Sequence, residues 1–529
     1  MMKTRVIIGV LVVLALGSVF AGGGRQGAAA PGRGGTTTGP VEIEFVYMST
    51  GWRAPKFGED PVTARMMERT GVKLNLAAPP GDAAQLLVVW LASGDYPEMM
   101  HMSIGPTFNS YITAGALLPI NKLADQYGYK DITNGNYIYP DVYNAHKSED
   151  GNLYLAPNWF SEDGFGSVGQ SMNLRNDIYN QLGKPALDTM DQVYSYLLRV
   201  RDANLRSPFG AKLWPLAFGF HDNNYLGYMA NLWGAQIYKY YYFDPADRKV
   251  KLMLRNGATV KMLQWLSRAL KDGLLDPDTL TWDGSTYSEA YNQHRHAVIF
   301  DWFWNLWTPN SAMSQKDPNM YFYSAPAPQG TPGVKQYHGR YTKLADQGTV
   351  ITKNCKNPEA AIKFIDFFLS PEGEILDFYG IEGKTMYFDN GQPMLYPEAY
   401  EAKLADWEGY AFTHGVRVLD IMMNQKYNWE RTQESPDRRQ NRATAHQYAF
   451  DASVQNTIVI DPLSNEGILA AELDANMKAQ LTKIIMEPDQ AKIPGLVQDL
   501  LRQWEQKGIA RLEAEWTKQY NASAARMGY

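Results

Sequence analysis

A single cysteine, Cys355, occurs among the 529 residues of this chain, so no disulfide can form within it. No thiol follows the N-terminal apolar run, and a lipid anchor attached there is therefore not expected. Histidine is also scarce, at 8 residues. His294 and His296 would share one side of a strand, but no neighbouring cysteine or carboxylate completes a metal set. Neither Asp276, Asp278 and Asp283 nor Glu149-Asp150-Gly151-Asn152 follows the alternating oxygen spacing of a calcium loop. A glycine-rich phosphate loop and a Gly-x-Ser-x-Gly elbow are both missing. No metal, cofactor or catalytic group is expected from these patterns. A net charge of −6 without a basic block leaves no footprint for nucleic acid. Apart from residues 6–16, no stretch is continuously apolar, and that one falls short of the roughly 20 residues that span a bilayer.

What is present begins at the N-terminus. Lys3 and Arg5 precede the apolar run, and Val19-Phe20-Ala21 offers a cleavage context, so residues 1–21 read as a removable export signal. Residues 22–40 are rich in Gly, Ala, Thr and Pro and read as a flexible linker. An exported chain without an anchor is retained only where a second membrane encloses it, which points to a periplasm. The remainder is about three times the length of one domain. With 45% hydrophobic residues it can form two globular lobes.

The elements follow from residue pattern. Val41-Glu42-Ile43-Glu44-Phe45-Val46-Tyr47 alternates as a strand and delivers a loop carrying Trp52 and Arg53. A helix over 61–70 stops at Gly71, and Val72-Lys73-Leu74-Asn75-Leu76 reads as the next strand. Strand, helix, strand at this spacing argues for a parallel α/β sheet. A helix over 83–93 and a buried strand over 97–102 continue the pattern. Later, Thr189 caps a helix reaching Asn204, Asn256 begins one ended by Gly273, and Ala297-Val298-Ile299-Phe300-Asp301-Trp302 is a strand opening into a loop with Trp304 and Trp307. Asn357-Pro358-Glu359 starts a further helix whose apolar stripe is Phe364, Phe367 and Phe368.

That last helix resembles a segment of the solute-binding proteins of carbohydrate ABC importers. Thr70-Gly71-Val72-Lys73-Leu74, Leu91-Ala92-Ser93-Gly94-Asp95-Tyr96-Pro97-Glu98, Gly115-Ala116-Leu117-Leu118-Pro119-Ile120-Asn121 and Asp150-Gly151-Asn152-Leu153-Tyr154-Leu155-Ala156-Pro157 occur in the order of that family. The likeness covers residues 41–508 and is nearest the large oligosaccharide-binding, LipO-like branch of extracellular solute-binding protein family 1. Asn152 and Ala156 depart from the usual phrase, which has lysine and isoleucine there. The resemblance implies a periplasmic binding protein fold of type II: two α/β lobes joined by a multi-strand hinge, with a ligand cleft between them. The expected first lobe is 41–157 with 345–395, and the second is 158–344 with 396–529. Some relatives of this branch hold calcium.

The chain has 14 tryptophans and 33 tyrosines. A sugar ring offers an apolar C–H face to an aromatic plate and a rim of hydroxyls to planar hydrogen-bonding groups. Trp52, Trp159, Trp302 and Trp304 lie in loops after predicted strands, and Arg53, Asp301, Asn305 and Arg340 could supply the rim. In the resemblance, Trp304 sits where maltose-type binding proteins place a stacking tryptophan. Asn223, in the polar run His221-Asp222-Asn223-Asn224, could reach the cleft. The competing readings are packing for each tryptophan and an Asp301–Arg340 structural bridge. The implied function is capture of an oligosaccharide by a monomer that delivers it to ABC transporter permease subunits. A secreted glycoside hydrolase, which needs two carboxyl groups about 5 to 10 Å apart, and the sensing subunit of a receptor are the alternatives.

Overall fold

In the computed structural model, residues 39–48, 52–219, 225–282 and 286–529 are described. The expected export signal, nearly all of the linker, Asn223 with its polar loop at 221–224, and Asp283 lie outside the described residues.

Alternation in Val41–Tyr47 buries Ile43 and Phe45 and exposes Glu42 and Glu44, and this strand pairs in parallel with Val72–Ala77 on one side and Met99–Ser103 on the other. The connecting helix Pro61–Thr70 starts where Asp60 accepts the amides of Val62 and Thr63, and it ends at Gly71, whose φ of 69° suits glycine. The sheet order is Val72–Ala77, Val41–Tyr47, Met99–Ser103, Gln347–Ile351, Ala156–Asn158. Gln347–Ile351 is antiparallel to both of its neighbours.

The second sheet has the order Phe322–Ala325, Gln170–Arg175, His296–Trp302, Trp214–Phe218. Here Gln170–Arg175 runs antiparallel to both neighbours, while His296–Trp302 and Trp214–Phe218 are parallel. Met190–Asp202 begins with the capping box of Thr189 and Gln192, and Gly257–Lys271 is capped by Asn256. Each sheet has its own hydrophobic core.

Two findings depart from the sequence reading. The helix expected from Asn357 is Pro358–Leu369, and Ser370-Pro371 starts a second helix, Pro371–Tyr379, with the Gly373 amide donating to Ser370 Oγ at 3.2 Å. Proline at a first helical position needs no amide partner, so the signal that stops one helix starts the next. The stretch 396–529, expected wholly in the second lobe, divides between the two cores. Ala399, Tyr410, Leu419, Met422 and Trp429 pack around the first sheet. Leu469, Leu481, Trp504 and Leu512 pack around the second. Helix Pro397–Ala405 buries only Ala399 and Lys403, so its pattern carries no strong stripe to say which core it joins.

The C-terminal helix Ile509–Met527 belongs to both cores. Ile509, Leu512 and Trp516 enter the second, and Ala524 and Met527 enter the first. Between them Thr517 Oγ1 accepts the Val250 amide at 2.9 Å. Among the described residues, no helix is long and apolar enough to cross a membrane.

Phe364 is fully buried in the first core beside Phe57 and Phe368. Phe364→Ala should lower the unfolding free energy by about 3 to 5 kcal/mol in urea titration.

Candidate functional site: an aromatic cleft

The parallel pairing of Val41–Tyr47 with Met99–Ser103 puts Tyr47 beside His101 at the carboxyl ends of the strands, the place where open α/β sheets take ligands. Tyr47 stacks on His101 with centroids 4.4 Å apart and planes within 4°, and on Trp52 at 4.7 Å and 25°. Asn158 Nδ2 donates to His101 Nε2 at 3.2 Å and to the Asp420 carbonyl at 2.9 Å. Burial holds the His101 imidazole down to a pKa of about 3.

Next to this stack, Trp159, Arg417 and Asp420 adopt φ of 59°, 56° and 41°. Three non-glycine residues with left-handed backbone in one patch hold strain of the kind that clusters at ligand clamps. The Arg417 guanidinium lies 4.7 Å from the Trp159 ring and 4.9 Å from the Trp407 ring. Burial pushes the Asp420 carboxyl up, against the opposing pull of Arg417, Asn158 and Trp159. Arg53 is on the surface, its guanidinium 4.0 Å above Phe412.

A second aromatic cluster stands at the end of His296–Trp302. Trp302 and Trp304 stack at 4.5 Å and 21°. Gly169 backs them, and a Cβ there would overlap both indoles, so the pair requires glycine at that position. Asp301 is 2% exposed and anchors the turn. Its Oδ1 accepts the Trp302 amide at 2.7 Å and Asn305 Nδ2 at 3.2 Å, and its Oδ2 accepts Tyr291 Oη at 2.6 Å. The geometry therefore sets Asp301 beneath the tryptophans as their support.

Arg340 lies 5.6 Å from the Trp302 ring and 5.4 Å from the Tyr238 ring. Desolvation works against its charge, yet the phenols of Tyr228 and Tyr238 together with Asp346 outweigh it and the net shift is upward. Trp302, Arg340, Tyr228, Tyr238, Lys239 and Asp346 surround a chamber of about 240 Å³. Through Ile104, Ala345, Asn456 and Val459 it continues into a groove of about 600 Å³. One side of the groove is Phe108, Ile112 and Tyr154 of the first lobe, and the other is Gln519, Ala522 and Ser523 of the C-terminal helix.

Of the residues singled out from sequence, Trp302 and Arg340 line the chamber, and Trp304 backs Trp302. Trp52 stacks on Tyr47 and Trp159 lies beside Arg417, neither of them among the residues that line the chamber or the groove, while Arg53 packs on Phe412. Sequence reasoning missed Tyr47, His101, Tyr228 and Tyr238. The tyrosine-rich run Tyr238-Lys239-Tyr240-Tyr241-Tyr242 was a signal for the last of these. His294 and His296 are buried structural residues, with His296 Nε2 2.8 Å from Asp276 Oδ2 and His294 stacked on Phe209. Among the described residues, no group of three or more His, Cys, Asp or Glu side chains is arranged to hold a metal ion.

His101 gives a pH prediction. Its folded pKa lies below the unfolded value of 6.5, so the unfolded chain takes up a proton that the native state refuses, and stability falls as pH drops from 6.5 towards 3. His101→Phe should remove this share of the acid sensitivity. Against wild type, the variant's relative stability should improve by on the order of 3 kcal/mol between pH 7 and pH 4, measured by urea unfolding at both.

A family model for bacterial extracellular solute-binding proteins matches residues 55–375, more than half of the chain. The chain is 22% identical over 351 residues to the fructooligosaccharide ABC transporter substrate-binding protein FusA of Streptococcus pneumoniae, covering 64% of this chain and 63% of that one. The match thus spans less than two thirds of that relative. Among solved structures, the alginate-binding protein AlgQ2 without calcium ion aligns with TM-score 0.68 at 20% identity, and FusA of S. pneumoniae in complex with kestose with TM-score 0.70 at 18% identity. Each alignment covers 92% of this chain and 99% of the other. At such identities the likeness is one of fold, the two-lobed α/β architecture of periplasmic binding proteins.

Proposed function

The chain belongs to the bacterial extracellular solute-binding protein family, and from that premise we propose that it captures an oligosaccharide in the cleft between its lobes and delivers it to the permease subunits of an ABC importer. The observation that carries this reading is the continuity of the chamber at Trp302 with the groove along the C-terminal helix. A monosaccharide would leave the groove empty. The groove has an aliphatic floor of Ile104, Ile112 and Leu155 and polar rims that include Asn109, Thr113, Asn456 and Gln519. Such a surface suits the C–H faces and hydroxyl edges of linked sugar rings.

Capture proceeds by lobe closure: the sugar stacks on Trp302, the opposite wall at Trp52 and Trp159 approaches, and the closed form docks on the permease. The protein acts as a monomer in the periplasm, released from its export signal. Transport, with no bond broken, is favoured over glycoside hydrolysis by the chamber's acid content. Among the described residues Asp346 is its single lining carboxylate, whereas hydrolysis needs a pair across the bond. The resemblance of the fold to FusA and AlgQ2 supports the carbohydrate class.

Titrating the protein's tryptophan fluorescence with length series of fructo-, malto- and mannuronate oligosaccharides tests the reading. One series should quench the signal saturably, tightening with chain length, with the sugar recovered intact. Trp302→Ala should weaken binding by about tenfold or more, equal to roughly 1.4 kcal/mol. Ala522→Trp, which fills the groove, should weaken the longer members only. Cleaved products would replace this reading with a hydrolase, and silence across all series would move the cargo outside these sugars.

A further inference from the structure

The two arginines buried outright among the described residues come with carboxylates, whereas the half-buried Arg340 and Arg417 do not, and of these Arg340 lines the chamber. Arg175 bonds Asp177 at 2.6 Å, and Arg442 bonds both Glu430 and Glu434, at 2.7 and 2.8 Å. Arg340 has no carboxylate within 4.0 Å among the described residues, and its Nε is shut off from solvent without a hydrogen-bond partner. The acid that shares its chamber, Asp346, is an exposed residue. A second cation, Lys239, lines the same chamber. Beside Arg340, Gln170 spends its Oε1 on the Arg340 amide at 3.1 Å and leaves its buried Nε2 unpartnered.

Taking a guanidinium out of water without an anion costs several kcal/mol, and proteins keep such a group where something else supplies the charge. Here the phenols of Tyr228 and Tyr238, the Trp302 ring and the more distant Asp346 hold the charge, and none of them is a carboxylate paired directly with the guanidinium. A planar fork of donors beside an aromatic plate matches an anionic group on a ring stacked against that plate.

We propose that Arg340 selects a cargo bearing an anionic group, a carboxylate or a sulfate ester, on the sugar unit seated against Trp302. This rests on the oligosaccharide-capture reading above and narrows it to acidic oligosaccharides. The balanced charges of the outer groove, Lys147, Lys518 and Arg526 against Glu149, Asp150 and Glu515, leave the chamber as the place where the acid is read.

The test uses length-matched pairs on the whole protein by calorimetry: mannan against mannuronate oligosaccharides, galactan against galacturonate oligosaccharides, and galactan against sulfated galactan oligosaccharides. The acidic member of at least one pair should bind tenfold or more tighter, and the pair that shows it separates carboxylate from sulfate. Arg340→Met should bring the two members of that pair to within threefold of each other, and Arg340→Lys should keep part of the preference. Tighter binding of every neutral member would overturn the inference and leave the capture reading intact. An unchanged preference in Arg340→Met or, should that variant not fold, in Arg340→Lys would equally overturn it. If no member of any pair binds, the capture reading falls and the inference falls with it.

Discussion

The insertion of Gln347–Ile351 into the first sheet is the constraint on which the rest of the structure depends. This strand arrives after the chain has built the second sheet and then pairs antiparallel between Met99–Ser103 and Ala156–Asn158. Once it is locked there, the residues just before it have no choice of place. The short strand Gly339–Tyr341 must run past the second-lobe wall, and Asp346 must emerge at the carboxyl ends of the first sheet. Arg340 and Asp346 thus share a chamber because a register a few residues further along the chain was satisfied: Val350 opposite Met100 and Thr349 opposite His101.

The two aromatic clusters are built by different physical means. In the first, stacking is set by strand pairing, since Tyr47 and His101 are register partners. In the second, it is set by space, since Gly169 leaves room for two indoles and Asp301 pins the turn that carries them. Beside the first cluster lie the left-handed residues Trp159, Arg417 and Asp420. Their strain is held by burial around them: Val416, Val418 and Leu419 are in the first core.

Local signals in the sequence were legible. Asp60, Thr189 and Asn256 cap helices, Gly71 and Gly273 end them with positive φ, and the tryptophans after Phe300 and Asp301 sit at the end of a strand. Each depends on neighbours within a few residues. What was not legible depends on distant ones. Asp301 looks like a rim group until Tyr291, ten residues earlier, is found donating to it. The stretch at 399–429 joins the first core for reasons that lie across the fold, and the groove exists only because residues near 110 and 520 face each other. A pattern read along the chain cannot report a surface made by two segments four hundred residues apart.

The helix Ile509–Met527 couples the two lobes mechanically. Because Trp516 sits in one core and Met527 in the other, the lobes cannot part without either carrying the helix along or unseating its last turns. How firmly the two cores are held together then depends on apolar contacts about Ala524 and Met527, at the far end of the helix from Ile509. Drift in these few side chains would change how firmly the helix ties the two cores together while leaving every group that lines the chamber unchanged.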